Sequence, residues 1–329
     1  MKRAVLTLSL TAAVAMSAVA QEVTSLPKEV AKNYLTKYDT SISDEFNGKD
    51  VDWTKWGRRN TGGAYIEKHV KDKSLVVMES EKEGKETTNY LSIKGIASDG
   101  NIRTAGIVTR STGYYGFYTL RFRFKGLDSE EVRKKKTIWH PSVWGAVMSN
   151  TAGSKLKCAS GGYWLELDFM EWNPGAGGWG SHTNARFVDK TGKSRIISDK
   201  AGEKAAMKDS VKENFDQWTT IGMEYTSKYI RIWQWDESAK SWSMISDRDV
   251  TFVPIDLNDP EASYTKSTIG DKSQQPHFWI VGNVVSRYLY PRIANGTVTH
   301  TMLDMSVDYD YFRYYPQVSI ANKKWSCKK

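Results

Sequence analysis

The sequence predicts an all-β protein, a sandwich of curved antiparallel sheets, and three observations carry that expectation. Apolar and polar residues alternate with a period of two along several runs. Helical periodicity is weak except from Lys200 to Lys212, where Ala and Lys dominate. Turn residues punctuate the runs at Asn60-Thr61-Gly62-Gly63, Asp99-Gly100-Asn101 and Asn173-Pro174-Gly175.

The chain opens with a segment that reads as a targeting signal. Met1-Lys2-Arg3 is a short cationic start, Ala4 to Met16 is apolar but too short to span a bilayer, and Ala18-Val19-Ala20 gives a small-x-small cleavage pattern. Residues 1–20 are therefore expected to be removed on export, and loss of Lys2 and Arg3 lowers the formal charge of +9 by two. A secreted or periplasmic protein with no membrane span is expected. Residues 21–37 read as a loosely attached leader. Residues 38–318 follow without internal repeat, linker or composition break and read as one domain. Residues 319–329 form a basic tail containing Lys323, Lys324, Lys328 and Lys329.

Composition narrows the class. The 329 residues are 40% hydrophobic and 26% charged, with 13 Trp, which excludes a disordered chain. Two cysteines exclude a disulfide-stapled miniprotein. Export permits a Cys158–Cys327 disulfide, and spacing leaves a disulfide and two free thiols equally open. Within the domain, Tyr118 to Lys125 places apolar or aromatic residues at every even position and polar ones at every odd position. Tyr229 to Trp235 sets Ile230 and Ile232 on one face and Arg231, Trp233 and Trp235 on the other, and Val307 to Tyr314 is a further strand. Sheets with one apolar face and one aromatic, polar face suit an extended ligand, because Trp and Tyr stack on the C–H faces of sugars. The alternative is that the aromatics bridge the two sheets.

The chemistry concentrates in Trp164-Leu165-Glu166-Leu167-Asp168-Phe169-Met170-Glu171-Trp172. Three carboxylates within an apolar strand are costly, since neighbouring like charges raise one another's pKa. Glu166 and Asp168 share a strand face, whereas Glu171, five positions from Glu166, falls on the other. A β-bulge around Phe169-Met170 would return Glu171 to the first face, and bulges of this kind re-aim side chains at active sites. Two glutamates would then flank a ligand with Asp168 between them. That is the arrangement retaining glycoside hydrolysis needs, one carboxylate attacking the anomeric carbon and the other delivering a proton. Asp168 could hydrogen-bond Glu166 and keep the protonation states apart. A metal cluster or a solvated acidic edge strand is the alternative.

Glu166-Leu167-Asp168-Phe169-Met170-Glu171 resembles the bulged E-x-D-x-x-E signature of glycoside hydrolase family 16, which includes laminarinases, agarases, porphyranases and carrageenases. Other segments match in order: Ser43-Asp44-Glu45-Phe46-Asn47-Gly48 with Trp53 and Trp56, Gly106 to Arg110, Tyr115 to Tyr118, Pro141-Ser142-Val143-Trp144, and Met305 to Tyr309. The resemblance spans roughly residues 40 to 316. Thr119 replaces a family Glu, and Phe215-Asp216-Gln217-Trp218 lacks a family His; neither is a catalytic position. The resemblance implies a concanavalin-like β-jelly roll with a cleft across its concave sheet. It assigns Glu166 as nucleophile, Asp168 as assistant and Glu171 as acid/base, with Trp144, Arg110, His182, Asn184, Trp164 and Trp172 binding substrate. No catalytic cofactor is implied. A structural Ca²⁺ on the convex side is, with Asp308 as a ligand.

The expected partner is a polysaccharide, and a monomer is expected. Export and the acidic strand argue against nucleic acid despite the basic charge and the Arg133-Lys134-Lys135-Lys136 cluster. Sulfate esters of carrageenan, furcellaran or porphyran would use arginines, and Arg58, Arg59, Arg103, Arg110, Arg186, Arg231 and Arg287 lie in or beside expected strands. The expected activity is endo-acting, retaining hydrolysis of a red-algal galactan carrying sulfate. Alternatives are a β-1,3(4)-glucanase (laminarinase), a transglycosylase, and a non-catalytic lectin-like module.

Overall fold

The computed structural model describes residues 26–59, 72–84, 86–98, 101–125, 139–146, 163–173, 178–188, 194–197, 217–226, 228–249, 251–252, 267–268, 277–285 and 305–321. Strands are numbered along the chain. One sheet has seven: β1 (Trp56–Arg58), β5 (Gly106–Thr109), β16 (Phe278–Val285), β7 (Trp139–Ala146), β8 (Tyr163–Asn173), β9 (Gly178–Val188) and β10 (Ser194–Ile197), hydrogen-bonded in that order. The other runs β13 (Ser241–Asp249), β12 (Tyr229–Asp236), β11 (Thr219–Tyr225), β6 (Gly116–Lys125), β17 (Met305–Pro316), β3 (Glu86–Ser98) and β2 (Val76–Glu83), with β4 (Asn101–Arg103) beside β3. β14 (Thr251–Phe252) and β15 (Ser267–Thr268) pair separately. Every described pairing is antiparallel, and the sheets form the sandwich that the alternating runs predict, in the jelly-roll arrangement that the resemblance implies.

Strand alternation explains the core. On β6 the even residues Tyr118, Leu120, Phe122 and Phe124 are buried between the sheets, with Ile221, Met223, Ile230, Ile232, Val307 and Phe312 from neighbouring strands. The seven-stranded sheet answers with Trp56, Ile107, Val143, Leu167, Met170, Trp279 and Val281. Aromatic rings bridge the layers: Trp279 lies 4.5 Å from Tyr118 and 5.7 Å from Phe312, centroid to centroid. Trp56 and Trp279 are thus inter-sheet core, the bridging role that sequence alone left open. Gly116 is required where β6 starts, because a Cβ there would sit 2.4 Å from the Tyr314 ring and 2.6 Å from the Tyr315 carbonyl.

The odd face of β6, away from the other sheet, is polar but covered. Arg121 pairs with Asp310 at 2.6 Å, and Arg123 with Asp308 and Glu81. Arg313 forks onto Glu45 through two 2.7 Å hydrogen bonds. The leader is firmly docked from Leu26 onward, unlike the loose segment expected. Leu26, Val30 and Tyr34 are buried with Phe117, Trp233 and Tyr315. Tyr34 donates to Glu224 at 2.6 Å, and the Leu35 amide donates to the Pro316 carbonyl. At the other end, Ile320 packs into the main core, so the tail begins later than residue 319. Lys200–Lys212, both cysteines, Arg133–Lys136, Arg287 and the Asn60–Gly63 turn lie outside the described residues.

Candidate active site on the bulged acidic strand

β8 carries the acidic segment in the interior of the seven-stranded sheet, between β7 and β9. Its register breaks at one place. Against β7, Val143 pairs with Met170 but Trp144 pairs with Asp168, leaving Phe169 as the extra residue. Against β9, Asp168 pairs with His182 and Glu171 with Gly180, three residues opposite two. This is the bulge that the carboxylate spacing predicts, and it has a packing reason. Phe169 and Met170 are both fully buried in the inter-sheet core, the Phe169 ring 6.2 Å from Trp279. Two consecutive apolar side chains turned inward shift everything beyond them by one position.

The consequence is three successive cross-strand rows. The first contains Ala146, Glu166 and Asn184. The second runs Gly57, Val108, Ile280, Trp144, Asp168, His182. The third runs Gly106, Gly282, Ser142, Glu171, Gly180. Glu166, Asp168 and Glu171 therefore occupy the same parity, out of phase with the core positions Val143, Leu167 and Met170. Asp168 is buried at 6% exposure, whereas Glu171 is half-buried. A carboxylate at 6% exposure must be hydrogen-bonded or paired to persist there.

Most of the binding residues expected from sequence assemble in the same place. Trp144 and His182 flank Asp168 in register, Asn184 is opposite Glu166, and Trp164 is opposite Arg186 one row further on. Trp172 stands apart: it pairs with Trp179 one position past Glu171, out of phase with the carboxylates. Arg110 follows β5 and is exposed. Its Nε donates to the carbonyls of Trp53 (2.9 Å) and Trp56 (3.0 Å), so it pins the segment leading into β1. Ser142 opposite Glu171 carries its own signal in the sequence, since it lies two residues before Trp144 on one strand.

The arginines expected to meet sulfate divide by position. Arg186 is in phase with Asn184 and His182 on β9, and the Arg59 amide donates to Gly106, at the end of the Glu171 row. Arg58 lies over the Trp53 ring at 4.1 Å. Arg103 is engaged by Asp72 at 2.6 Å, and Arg231 by Asp247 at 3.0 Å on the eight-stranded sheet, so both lie away from β8.

The residues around Asp308 do not fit calcium. Asp308 is fully buried on β17. Its Oδ2 accepts from Arg123 Nε at 3.1 Å and its Oδ1 from Ser306 Oγ at 3.0 Å. Calcium takes six to eight oxygen ligands, and among the described residues no three acidic, His or Cys side chains converge. Both oxygens of Asp308 instead face donors. The expectation of Asp308 as a metal ligand is accordingly corrected: its counter-charge is a guanidinium.

No protein-family model matches the chain, and no curated protein matches it. Solved structures do. A β-porphyranase from the human gut bacterium Bacteroides plebeius superposes with a TM-score of 0.55 at 17% identity, over 89% of this chain and 98% of that one. The κ-carrageenase of Pseudoalteromonas carrageenovora, in complex with a κ-carrageenan oligosaccharide, gives 0.54 at 12%, over 85% and 95%. A laminarinase from Flavobacterium sp. UMI-01 gives 0.52 at 13%, over 85% and 100%. At these identities the likeness is one of fold, and it extends over nearly the whole of each of those chains. Among the described residues, no helix is long and apolar enough to cross a membrane.

Proposed function

We propose that this chain is a secreted, endo-acting retaining glycoside hydrolase of family 16 that cleaves β-linkages in a sulfated red-algal galactan. The observation that carries the reading is the bulge at Phe169, which brings Glu166, Asp168 and Glu171 into three successive rows of one sheet face. Neither a lectin nor a structural strand has reason to hold three carboxylates in phase. The jelly roll shared with a porphyranase, a κ-carrageenase and a laminarinase supports the same class.

In the proposed double displacement, the Glu166 carboxylate attacks the anomeric carbon as Glu171 gives its proton to the departing glycosidic oxygen. A covalent glycosyl–enzyme results. Glu171, now a carboxylate, takes a proton from a water whose oxygen attacks the same carbon, and the bond to Glu166 breaks with the electrons returning to its oxygen. Asp168, between the two glutamates, donates a hydrogen bond to the Glu166 carboxylate that holds it ionised while Glu171 is protonated. Trp144 and Trp164 supply stacking surface beside the acidic row, and His182 and Asn184 supply polar contacts from β9. Arg186 and Arg59 are the arginines best placed for sulfate esters, by charge-assisted hydrogen bonds. Residues 26–320, the docked leader included, form the catalytic domain, and residues 1–20 the export signal.

The test is a comparative digest of carrageenan, furcellaran, porphyran, agarose and laminarin by the purified protein. Cleavage of a sulfated galactan, with an activity loss on the order of 10³-fold or more in Glu166→Gln, is the expected result. Cleavage of laminarin alone overturns the substrate and leaves the mechanism. A Glu166→Gln protein as fast as wild type overturns the mechanism.

A further inference from the structure

Asp308 is a fully buried carboxylate, and a buried charge persists only when something of opposite sign is built beside it. What stands there is Arg123, itself buried, on the adjoining strand in direct register. Its Nε donates to Asp308 Oδ2 at 3.1 Å and its Nη2 to Glu81 Oε2, so one guanidinium joins two carboxylates from β17 and β2. Its Cζ lies 4.4 Å from the Trp218 ring centroid and 4.9 Å from that of Tyr90, aromatic faces that favour a cation. Lys125 Nζ, 3.5 Å from Glu81 and 3.9 Å from Asp308, brings the local charges to two positive against two negative. The second aspartate of the strand, Asp310, is likewise met by Arg121 at 2.6 Å. A divalent ion at Asp308 would add two positive charges beside a guanidinium already in contact with it.

We infer that Arg123 is the resident cation of this face of the sandwich, so that the fold draws on no divalent ion there, and that removing the guanidinium opens a divalent-cation site between Asp308 and Glu81. The guanidinium supplies directional donors and lies over the aromatic rings, which an ion cannot reproduce. Its removal leaves two carboxylates and the Ser306 hydroxyl around the vacated volume, with only Lys125 to offset them.

The test uses the full-length protein and two readouts that do not depend on catalysis. In thermal unfolding, wild type is expected to melt at the same temperature in EDTA and in millimolar CaCl₂. Arg123→Met, which keeps the aliphatic stem, should melt on the order of 10 °C lower in EDTA and regain part of that loss in CaCl₂. Terbium(III) luminescence reports the site directly, because Trp218 is close enough to sensitise a bound lanthanide. Saturable emission, competed by Ca²⁺, is expected for Arg123→Met and not for wild type or for Arg123→Met combined with Asp308→Asn. Should Arg123→Met be too unstable to purify without calcium, Arg123→Lys, which retains a cation, is expected to fold and remain calcium-insensitive. The inference is overturned if EDTA lowers the wild-type melting temperature and Asp308→Asn abolishes that effect. It is equally overturned if Arg123→Met shows no calcium response, or if Arg123→Lys responds to calcium as strongly as Arg123→Met.

Discussion

Phe169 offers the sharpest separation between what the bulge does for the core and what it does for the site. The ring is fully buried and lies 6.2 Å from Trp279. Truncation in Phe169→Ala removes that burial and leaves a cavity, a cost of about 3–5 kcal/mol. In a domain of this size class the loss lowers the melting temperature by about 10 °C, while the residue count between Glu166 and Glu171 is kept. Inserting one alanine between Met170 and Glu171 keeps the ring but moves Glu171 one position along, so it pairs one step out of phase and takes core parity. The proton donor then leaves the face shared by Glu166 and Asp168, worth roughly a further 10²–10⁴-fold in rate. The assay is reducing-end release from the polymer that wild type cleaves, at a temperature well below both variants' transitions, with folded fraction checked by near-UV circular dichroism. Phe169→Ala should retain most of the wild-type rate and the insertion should retain almost none. A folded insertion variant with wild-type turnover refutes the reasoning, as does a Phe169→Ala protein that loses turnover in step with the insertion.

Two further outcomes follow from the covered face of the eight-stranded sheet. Tyr34→Phe removes the 2.6 Å hydrogen bond to buried Glu224. The Tyr34 hydroxyl stays a donor because burial, then the charge of Glu224, pushes its pKa far above 10.0. A loss of about 1.5–3 kcal/mol is expected, read as a melting temperature lower by several degrees and faster proteolytic cleavage near the leader; an unchanged melting temperature and cleavage rate would contradict the docked leader. Glu81 is held below its ordinary value of 4.5 by the hydrogen bond from Arg123, which outweighs the raising effect of burial, and further by the charges of Arg123 and Lys125. A carboxyl lowered on folding adds stability above its unfolded value, lost as pH falls through the lowered one. The melting-temperature gap between wild type and Glu81→Gln should therefore be widest at neutral pH and close toward pH 3, and a gap independent of pH would contradict it.

The fold class was legible because its signal is local: period-two runs such as Tyr118–Lys125 and Val307–Tyr314 became β6 and β17 nearly residue for residue. The bulge was legible for a different reason. Three carboxylates that share one chemical purpose must share one face, and only an inserted residue near Phe169 reconciles that with their spacing. Partnership across the sheet was harder to read. Asp308 looks the same in sequence whether calcium or Arg123 neutralises it, since the answer depends on a residue 185 positions away. Arg103 and Arg231 could not be told from substrate-facing arginines, because Asp72 and Asp247 are brought to them by folding. The leader was misjudged because Leu26, Val30 and Tyr34 follow no strand period; their burial comes from a surface of Phe117, Trp233 and Tyr315 contributed by three distant strands.

The central claim is that Glu166 is a nucleophile with Glu171 as its acid and base partner. Its most direct test is to incubate the protein with a 2-deoxy-2-fluoro glycosyl fluoride built on an oligosaccharide of the polymer it cleaves, then map the adduct by peptide mass spectrometry. Because the 2-fluorine slows both formation and breakdown of the covalent intermediate while the reactive fluoride leaving group restores its formation, the intermediate accumulates and a glycosyl adduct on the Glu166 side chain is predicted. An adduct on Glu171, or no adduct together with an inverted anomeric product from the polymer, would contradict the account.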